Sequence, residues 1–325
     1  MRTFVTGATG FIGGRLARAL AQRGDQVVAL VRSPDRAAGL RDLGCELVPG
    51  DLADEAAIRS GVEGCDALFH SAAVYKVGIP ESERRAMYEA NVRGTERVLD
   101  AAIAAGVSRI VYVSTVGVFG NTKGRVVDES YRRDLSEGFL SCYDESKFAA
   151  HDAALERIRA GAPIVIVQPG GVYGPGDTSE IANMIGQVRK GRMKMLIFPE
   201  VGFNLVHVDD VVQGILLAHD KGRIGESYVL GGEVTTMGEA VQVVAELDGR
   251  KPPTRTVPPA LVKLAIPFGG LVSKVMGTPP NLREGIKAVE GVTYWASHAK
   301  AQEELGYSAR DLRTGMAETL AASPR

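Results

Sequence analysis

A glycine-rich turn near the start of the chain constrains its fold most strongly. The strand-like run Thr3–Val5 leads into Thr6-Gly7-Ala8-Thr9-Gly10-Phe11-Ile12-Gly13, which opens a helical segment. The first glycine permits a tight turn, the second lets a pyrophosphate approach the backbone, and the third lets the helix pack near the sheet. Free N–H groups at the helix start attract phosphate. The pattern predicts a dinucleotide-binding βαβ unit, and a bare turn is the alternative.

Short apolar runs alternate with helical patterns over the first half of the chain. The runs are rich in Val and Ile without polar alternation, which is typical of parallel strands buried on both faces. Candidate strands are Thr3–Val5, Gln26–Val31, Glu46–Val48, Ala67–Phe69, Arg109–Val113 and Pro163–Val167, and candidate helices are Ile12–Arg23, Glu55–Val62, Glu83–Ala105 and Glu145–Arg159. This order predicts an α/β fold with a Rossmann-like, doubly wound parallel sheet.

The regular alternation of predicted strands and helices ends at the glycine-rich loop Gln168–Asp177. We expect a helix over Ile181–Lys190, a strand over Met195–Phe198, a Gly-Asn loop, a helix from Asp209 and a strand over Ser227–Leu230. The remaining segments read as helical: Met237–Leu247, Pro259–Met276, Leu282–Val289, Ser297–Leu305 and Leu312–Ala322. We therefore predict a nucleotide-binding Rossmann domain over residues 1–167, with parts of 200–230 returning to it. Residues 168–325 are expected to form mostly a smaller, helix-rich substrate-binding lobe.

Composition excludes several classes of protein. Of 325 residues, 45% are hydrophobic and 24% charged, which excludes a disordered chain. The 38 basic residues are balanced by 39 acidic ones, so no basic excess indicates nucleic acid. The start of the chain does not resemble a signal peptide, and the longest apolar stretch, Ala260–Met276, is interrupted by Lys263, Pro267 and Lys274 and predicts no membrane span. Three separated cysteines predict reduced thiols in a cytoplasmic protein and no metal site.

The residues after the second strand bear on the choice of nucleotide. An acid at the end of that strand would accept hydrogen bonds from the ribose of NAD. Here Val31 is followed by Arg32, Ser33 and, three residues on, Arg36. Two arginines could hold a 2′-phosphate through charge-assisted bonds, which favours NADP(H) over NAD(H). Alternatively both arginines are solvated, with Asp35 neutralising part of their charge, and NAD(H) remains possible.

Three side chains suggest proton transfer. Tyr143 and Lys147 lie one helical turn apart at the start of a helix, and Thr115 ends the fifth strand. A neighbouring ammonium favours the phenolate, so we expect Lys147 to lower the pKa of Tyr143 and to reach the nicotinamide ribose. Tyr143 would then exchange a proton with a carbonyl or alcohol oxygen. A hydroxyl at the strand end would orient that oxygen.

These segments resemble the extended short-chain dehydrogenases/reductases, the NAD(P)-dependent epimerase/dehydratase family. The resemblance also rests on Gly50-Asp51-Leu52, Ser71-Ala72-Ala73, Asn91, Ser114-Thr115, Pro169–Gly176 and Val206–Asp210. It implies that Thr115, rather than Ser114, is catalytic together with Tyr143 and Lys147. It implies cofactor contacts from Gly7, Thr9, Gly10, Phe11, Ile12, Gly13, Arg32, Arg36, Asp51, Leu52, Ala72, Ala73, Ser114, Tyr143, Lys147, Pro169, Gly171 and Val172. Asp51 as a helix cap and Asn91 as a backbone tie are the simpler readings.

Two departures from family patterns narrow the reaction. Val116-Gly117 stand where sugar dehydratases similar to this family carry an Asp-Glu pair. Phe203-Asn204 stand where many nucleotide-sugar epimerases carry an Arg-Asp pair. The chain is similar to the dihydroflavonol-4-reductase-like subgroup, which includes hopanoid-associated sugar epimerases. The resemblance implies an NADPH-dependent reductase of an uncharged ketone or aldehyde. A sugar epimerase is the alternative, and a non-catalytic cofactor-binding protein a further one.

The expected substrate pocket is mostly apolar. Its candidate residues are Val74, Tyr75, Val116, Phe119, Tyr173, Phe203 and the helices predicted over Pro259–Met276, with core packing as the alternative for each aromatic ring. The irregular segment Tyr131–Cys142 is a candidate lid. The helices at Glu83–Ala105 and Tyr143–Arg159 could pair across a two-fold axis into a four-helix bundle, which gives a possible homodimer.

Overall fold

A seven-stranded parallel sheet forms the centre of the protein. The structure is a computed structural model that describes residues 1–264, 266–268 and 280–322. The strands are β1 (Arg2–Thr6), β2 (Gln26–Val31), β3 (Glu46–Pro49), β4 (Ala67–His70), β5 (Arg109–Val113), β6 (Ile164–Pro169) and β9 (Ser227–Leu230), in the order β3-β2-β1-β4-β5-β6-β9. The chain leaves β1 towards one edge and resumes at β4 on its other side. This reversal confirms the predicted Rossmann-like fold and makes a crevice at the carboxyl ends of β1 and β4.

Helices cover both faces of the sheet because successive strand residues point to opposite sides. One apolar cluster packs the sheet against α1 (Phe11–Gln22), α8 (Val208–Lys221) and α12 (Ala299–Leu305). A second cluster packs the other face against α3 (Glu55–Val62), α5 (Gly94–Ala104) and α6 (Cys142–Arg159). A short helix, α2 (Ala38–Asp42), lies at the β3 edge. Burial on both faces explains why the strands read as unbroken apolar runs.

A smaller unit covers the carboxyl edge of the sheet. Its three-stranded sheet has the order β10-β8-β7, formed by β7 (Gly171–Tyr173), β8 (Gly202–His207) and β10 (Glu233–Thr236). The helices α7 (Glu180–Arg189), α9 (Met237–Leu247) and α13 (Leu312–Ala322) contribute to a separate apolar cluster. The same half of the chain forms two short helices, α10 (Pro259–Leu264) and α11 (Leu282–Lys287). Segment 208–230 supplies α8 and β9, which pack with the first half of the chain.

Two predictions for this smaller unit were wrong. The strand expected over Met195–Phe198 does not form, and only Leu196 makes an isolated bridge, with Thr256. The Gly-Asn loop is instead strand β8, in which buried Asn204 accepts a hydrogen bond from the Ala296 N–H at 2.6 Å and donates to the Gly232 carbonyl at 3.2 Å. A buried amide satisfied across two neighbouring segments replaces the solvent that an asparagine in a loop would use.

The long helix predicted over Glu83–Ala105 forms as one continuous helical segment. It comprises α4 (Glu81–Tyr88), one π-helical turn (Glu89–Arg93) and α5. Of the predicted Pro259–Met276 helices, the structure describes α10 and a 3₁₀ turn over Ile266–Phe268, while 265 and 269–276 lie outside the described residues. Among the helices described, none is long and apolar enough to cross a membrane.

Candidate active site

A cavity of about 1470 Å³ opens at the carboxyl edge of the large sheet. It exceeds the roughly 300–1,000 Å³ of a site for one drug-sized ligand, so it has room for two. Its inner wall is formed at the ends of β1, β2, β4 and β5 and at the start of α6. Residues that line this wall are Thr6–Gly7, Thr9–Gly13, Leu30, Arg32, 50–53, Ser71–Val74, Val113–Gly117, Tyr143 and Lys147. Its outer wall includes Asp177–Ile181, Ile197–Phe198, Val201, Phe203, Met237, Val257, Leu261–Val262, Leu282, Gly285–Ile286, Ala288–Val289 and Tyr294.

The glycine turn makes a cradle in the inner wall that side chains would fill. Gly7 has a φ of +78°, which favours glycine, and a Cβ on Gly13 would lie 2.2 Å from the Gly7 carbonyl oxygen. Helix α1 begins after Gly10, has no side-chain cap and carries no acid in its first turn. The start of helix α1 therefore lines the cavity without an anion of its own, which suits a pyrophosphate.

The far end of the inner wall bears on the nucleotide. Arg32 is exposed, lines the cavity and forms no ion pair within the described ranges. Arg36 is exposed but does not line the cavity, so the two arginines are not brought together there. The Asp51 carboxylate accepts a hydrogen bond from the Ala53 N–H at 2.8 Å. Asp54, and not Asp51, caps helix α3, which leaves Asp51 at the cavity.

Helix α6 carries Tyr143 and Lys147 into the cavity. The Ser141 side chain caps the helix by accepting a hydrogen bond from the Asp144 N–H. The buried Lys147 ammonium donates to the Tyr112 hydroxyl at 3.2 Å and to the Val113 carbonyl at 3.1 Å. Burial lowers the pKa of Lys147 to about 7. Burial raises the pKa of Tyr143, with a smaller contribution from Asp144.

This electrostatic arrangement differs from the expected one. Lys147 was expected to lower the pKa of Tyr143, but its ammonium is directed at the end of β5. Desolvation is therefore the larger effect on the phenol in the protein alone. The phenol is protonated at neutral pH, which is the form that donates a proton.

Two hydroxyls end β5 and have different partners. Thr115 Oγ1 accepts a hydrogen bond from the Gly117 N–H at 3.1 Å. Among the residues that the structure describes, its own proton has no acceptor, so it can point into the cavity. Ser114 Oγ lies 2.9 Å from Nδ1 of His151. Burial, followed by the charge of Lys147, lowers the pKa of His151 to about 4. His151 is neutral near pH 7 and holds Ser114, while the Thr115 hydroxyl remains available.

Comparison with known proteins identifies the family. The model of the NAD dependent epimerase/dehydratase family matches residues 3–231. The chain belongs to this family. A Synechocystis protein with the provisional name dihydroflavonol 4-reductase is 34% identical, over 98% of this chain and 93% of its own. Sterol demethylase protein B of Methylococcus capsulatus is 37% identical, over 81% of this chain and 79% of its own. A 4-hydroxy-2-methyl-3-oxo-4-farnesyl-3,4-dihydroquinoline-1-oxide ketoreductase of Stigmatella aurantiaca is 32% identical over 95% and 92%.

Two solved structures have the same architecture as this chain. The crystal structure of gox2253 superposes with a TM-score of 0.83 at 34% identity, covering 99% of this chain and 97% of that one. The structure of MoeE5 in complex with UDP-glucose and NAD superposes with a TM-score of 0.75 at 26% identity. The superposition covers 99% of this chain and 98% of MoeE5. The chain is an NAD(P)-dependent oxidoreductase of the extended short-chain dehydrogenase/reductase type.

Several buried polar residues of this epimerase/dehydratase chain brace the inner wall. Asn91, in the π-helical turn, accepts from the Val74 N–H at 2.7 Å, and donates to the Val74 carbonyl at 2.9 Å and to Ser146 Oγ at 3.0 Å. His70 bonds Thr6 Oγ1 at 2.7 Å and Thr95 Oγ1 at 2.9 Å. Burial lowers the pKa of His70 to about 3, so it stays neutral. Both residues position backbone around the cavity.

Sequence reasoning missed two residues at this site. His151 follows Lys147 by four residues, as Lys147 follows Tyr143, and this spacing of one helical face was the available signal. Glu284 is 7% exposed, and its Oε1 accepts hydrogen bonds from the Cys142 N–H at 3.0 Å and the Gly78 N–H at 3.4 Å. Glu284 belongs to α11 and lies far from α6 in the chain, so no local pattern pointed to it.

Four predicted contacts are not at the cavity. Phe119 is buried in a cluster with Val116 and Val118, and Tyr173 is buried against Gly315, because both rings fill core space behind the walls. Pro169 ends the fully buried strand β6, and Arg36 lies outside the cavity. The predicted residues that do line it are Gly7, Thr9, Gly10, Phe11, Ile12, Gly13, Arg32, Asp51, Leu52, Ala72, Ala73, Val74, Tyr75, Ser114, Thr115, Val116, Tyr143, Lys147, Gly171, Val172 and Phe203.

The candidate lid is held against helix α6. Within the segment Tyr131–Cys142, the guanidinium of Arg133 pairs with the Asp144 carboxylate at 2.7 Å, and both side chains are 6% exposed. Arg133 also lies over the rings of Phe139 and Phe148 at 4.7 and 5.4 Å. A buried ion pair of this kind opposes opening because separating the partners would leave a charge unpaired.

Proposed function

We propose that this protein is an NADPH-dependent reductase of a large, apolar ketone or aldehyde. The charge of the outer wall is the observation that carries the proposal. Among the described residues lining the cavity, the basic ones are Arg32 and Lys147, and both lie on the inner wall. The outer wall offers apolar side chains together with the acids Asp177 and Glu180. Such a wall repels a diphosphate and accepts an uncharged apolar substrate.

The names of relatives support an apolar substrate. One relative is named as a reductase of a farnesyl-substituted quinoline ketone, and another as a sterol demethylase protein. Both names denote molecules with large hydrocarbon portions. The outer wall presents Phe203 stacked on Tyr294, with ring centroids 5.6 Å apart and planes inclined by 15°. A flat ring pair of this kind can cover a hydrocarbon skeleton.

The preference for NADPH rests on Arg32. It lines the cavity at the end of β2, where no acid stands to accept hydrogen bonds from a ribose. Its guanidinium can pair with a 2′-phosphate through charge-assisted hydrogen bonds. Arg36 lies in the same connection but outside the cavity, so we assign the phosphate contact to Arg32 alone.

The chain's own residues provide positioning and a proton. The glycine turn would hold the pyrophosphate, and Lys147 the nicotinamide ribose. A reduced nicotinamide bound along the inner wall supplies the hydride. Thr115 would donate a hydrogen bond from its hydroxyl to the substrate carbonyl oxygen and so polarise the carbonyl. Tyr143, kept protonated by its burial, donates the proton that completes the alcohol.

A substrate screen tests the proposal. The purified protein is incubated with NADPH and steroid or isoprenoid ketones, and consumption of NADPH is followed by its absorbance. We expect turnover with apolar ketones and none with UDP-sugars. Conversion of a sugar nucleotide without net change in absorbance would instead establish an epimerase. NADPH binding without turnover of any carbonyl would contradict the reductase.

We also propose that two copies of the chain pair as a homodimer. The helices α5 and α6 lie side by side, joined by Arg157 and Asp100 at 2.7 Å, and could meet their counterparts across a two-fold axis. Size-exclusion chromatography with light scattering would reveal a monomeric mass if this is wrong.

A further inference from the structure

Two segments of the chain meet at the rim of the outer wall. The Leu196 N–H donates to the Arg255 carbonyl at 2.8 Å, and the Val257 N–H donates to the Leu196 carbonyl at 2.9 Å. These bonds join residues 189–200 to residues 249–264. We call the surface formed by the two segments the mouth patch, since Ile197 and Leu261 belong to it and also line the cavity.

The mouth patch is strongly basic in a chain that is nearly neutral overall. Its two segments hold eight basic residues and one acid, Glu200, whereas the whole chain has a net charge of −1. Asp248 and Glu290 pair with some of these cations, and counting both leaves eight basic against three acidic groups. Five of the basic residues are exposed and outside these pairs: Lys190, Arg192, Lys194, Lys251 and Arg255.

Apolar side chains stand exposed among these cations. Met195 is 44% exposed, Ile197 56%, Leu261 57% and Leu264 68%. Exposed single apolar residues are ordinary, but these four fall within the two segments that are hydrogen-bonded to each other at the cavity mouth. Basic residues surrounding exposed apolar ones match the chemistry of an anionic bilayer, whose headgroups attract cations and whose acyl boundary receives apolar side chains.

We propose that the mouth patch docks on an anionic phospholipid membrane. Met195, Ile197, Leu261 and Leu264 enter the boundary between headgroups and acyl chains, and the basic side chains contact lipid phosphates. The mouth of the cavity then faces the bilayer. The passage of substrate from bilayer to cavity rests on the proposed reductase function, because only an apolar substrate gains from this route.

Docking itself requires neither cofactor nor substrate. An acidic protein surface would also attract the cations, and protein interfaces bury apolar side chains too. The position of the patch at the mouth of a largely apolar cavity favours lipid. Failure of the reductase screen would therefore leave the docking proposal intact, and failure of docking would leave the reductase intact.

Vesicle co-sedimentation tests the docking proposal. The full-length protein is mixed with vesicles of phosphatidylcholine, or of phosphatidylcholine with phosphatidylglycerol, and the bound fraction is measured after centrifugation. We expect binding to the anionic vesicles and little to the neutral ones. A juxtamembrane basic residue contributes about fivefold to binding, so Lys190→Glu with Lys194→Glu should weaken it by about twentyfold or more.

Matched variants separate docking from general effects. Arg18→Glu with Arg41→Glu makes the same charge change on exposed residues of α1 and α2 and should lower binding much less. Leu264→Ser should weaken binding severalfold, whereas Ile224→Ser, at another exposed apolar residue, should not. Thermal unfolding verifies that each variant is folded. Absence of wild-type binding to anionic vesicles, or equal binding of both charge variants, would overturn the proposal, as would binding to an acidic polypeptide without binding to vesicles.

Discussion

The two walls of the cavity differ in the kinds of residues that form them. The inner wall consists of strand ends and a glycine cradle, and it is braced by buried polar side chains whose partners are largely fixed, such as His70, Asn91 and Lys147. The outer wall consists largely of apolar side chains, of which Ile197 and Leu261 are exposed, together with the acids Asp177 and Glu180. Close packing and satisfied hydrogen bonds resist change, so the inner wall suits one invariant ligand. The looser outer wall suits the ligand that differs between relatives.

The proposed proton donor of the inner wall is Tyr143. Tyr143→Phe keeps the ring and deletes the hydroxyl. General acid catalysis contributes on the order of 10²–10⁴ in rate, so kcat/KM should fall by about a thousandfold. The Kd for NADPH, measured by fluorescence titration, should stay near the wild-type value.

The neighbouring phenol provides a matched control. Tyr75 stands edge-on to Tyr143, with ring centroids 4.7 Å apart, and is 53% exposed. Tyr75→Phe deletes the same atom from a residue without a proposed proton-transfer role, so its kcat/KM should change little. Wild-type turnover in Tyr143→Phe would remove Tyr143 from the mechanism.

A second test probes the rigidity of the glycine cradle. Gly13→Ala would place a methyl group 2.2 Å from the Gly7 carbonyl oxygen, between backbone segments that cannot yield easily. Overpacking of this kind should lower the free energy of unfolding by roughly 1–3 kcal/mol. The Kd for NADPH should also rise because the turn is displaced. Urea unfolding without cofactor measures the first effect and titration the second.

Gly186→Ala is the control for the outer side of the cavity. A Cβ at Gly186, inside helix α7, meets nothing within 4 Å. Alanine is the better helix former, so the free energy of unfolding should rise by about 0.5–1 kcal/mol. If Gly13→Ala proves as stable and as good a binder as the wild type, the cradle is not constrained as described.

The sequence predicted the inner wall far better than the outer wall, for a physical reason. Close approaches of backbone to phosphate require glycine at fixed spacing, and parallel strands require continuous apolar runs, so both leave local patterns. The sequence of strand β8 contains no such local pattern. Its pairing with β7 and β10, and the hydrogen bonds of the Asn204 side chain, depend on distant segments of the chain. Phe119 and Tyr173 show the same limit: an aromatic near a site in the chain can point into the core.

A third test concerns the nucleotide end of the inner wall. Arg32→Ala removes the guanidinium that lines the cavity, and a hydrogen bond to a charged group is worth about 1.5–3 kcal/mol. The KM for NADPH should therefore rise by about tenfold or more, while the KM for NADH should hardly change. Steady-state kinetics with both nucleotides measure the ratio.

Arg36→Ala is the natural comparison, since Arg36 lies outside the cavity in the same connection. It should alter the KM for NADPH much less than Arg32→Ala does. Equal effects of the two variants would indicate that both arginines reach the phosphate, and a wild-type preference for NADH would remove the assignment altogether.

Acid should weaken the inner wall through its buried histidines. Burial lowers the folded-state pKa of His70 to about 3 and that of His151 to about 4, below the ordinary value near 6.5. The unfolded chain therefore binds more protons between these values, and stability present above pH 6.5 is lost as the pH falls. Each histidine should contribute a slope that approaches a limit of about 1.4 kcal/mol per pH unit as the pH falls below 6.5.

Urea unfolding between pH 7 and 5 measures this slope. His151→Gln keeps a side chain that can bond Ser114 but cannot titrate, so it should reduce the slope by the contribution of one histidine. An unchanged slope in the variant would show that His151 takes up its proton in the folded state as readily as in the unfolded one.

The smallest expected effect lies at Glu284, which joins the two walls. Its helix α11 contributes to the outer wall, while its carboxylate holds the first N–H of the catalytic helix α6 and lies 3.5 Å from Arg84. A carboxylate at a helix N-terminus is worth about 0.3–1 kcal/mol, so Glu284→Gln should lower kcat severalfold at most. Because Glu284 positions α6 without lying among the groups that hold nucleotide, the Kd for NADPH should not change.

Glu290→Gln is the control for Glu284→Gln. Glu290 pairs with the exposed Lys263 on the surface, where ion pairs contribute little. The informative readout is the division between kcat and nucleotide affinity, since general destabilisation would affect both. A lowered kcat with unchanged affinity would mean that the outer wall sets the orientation of the proton donor. Equal behaviour of the two variants would mean that the walls act independently.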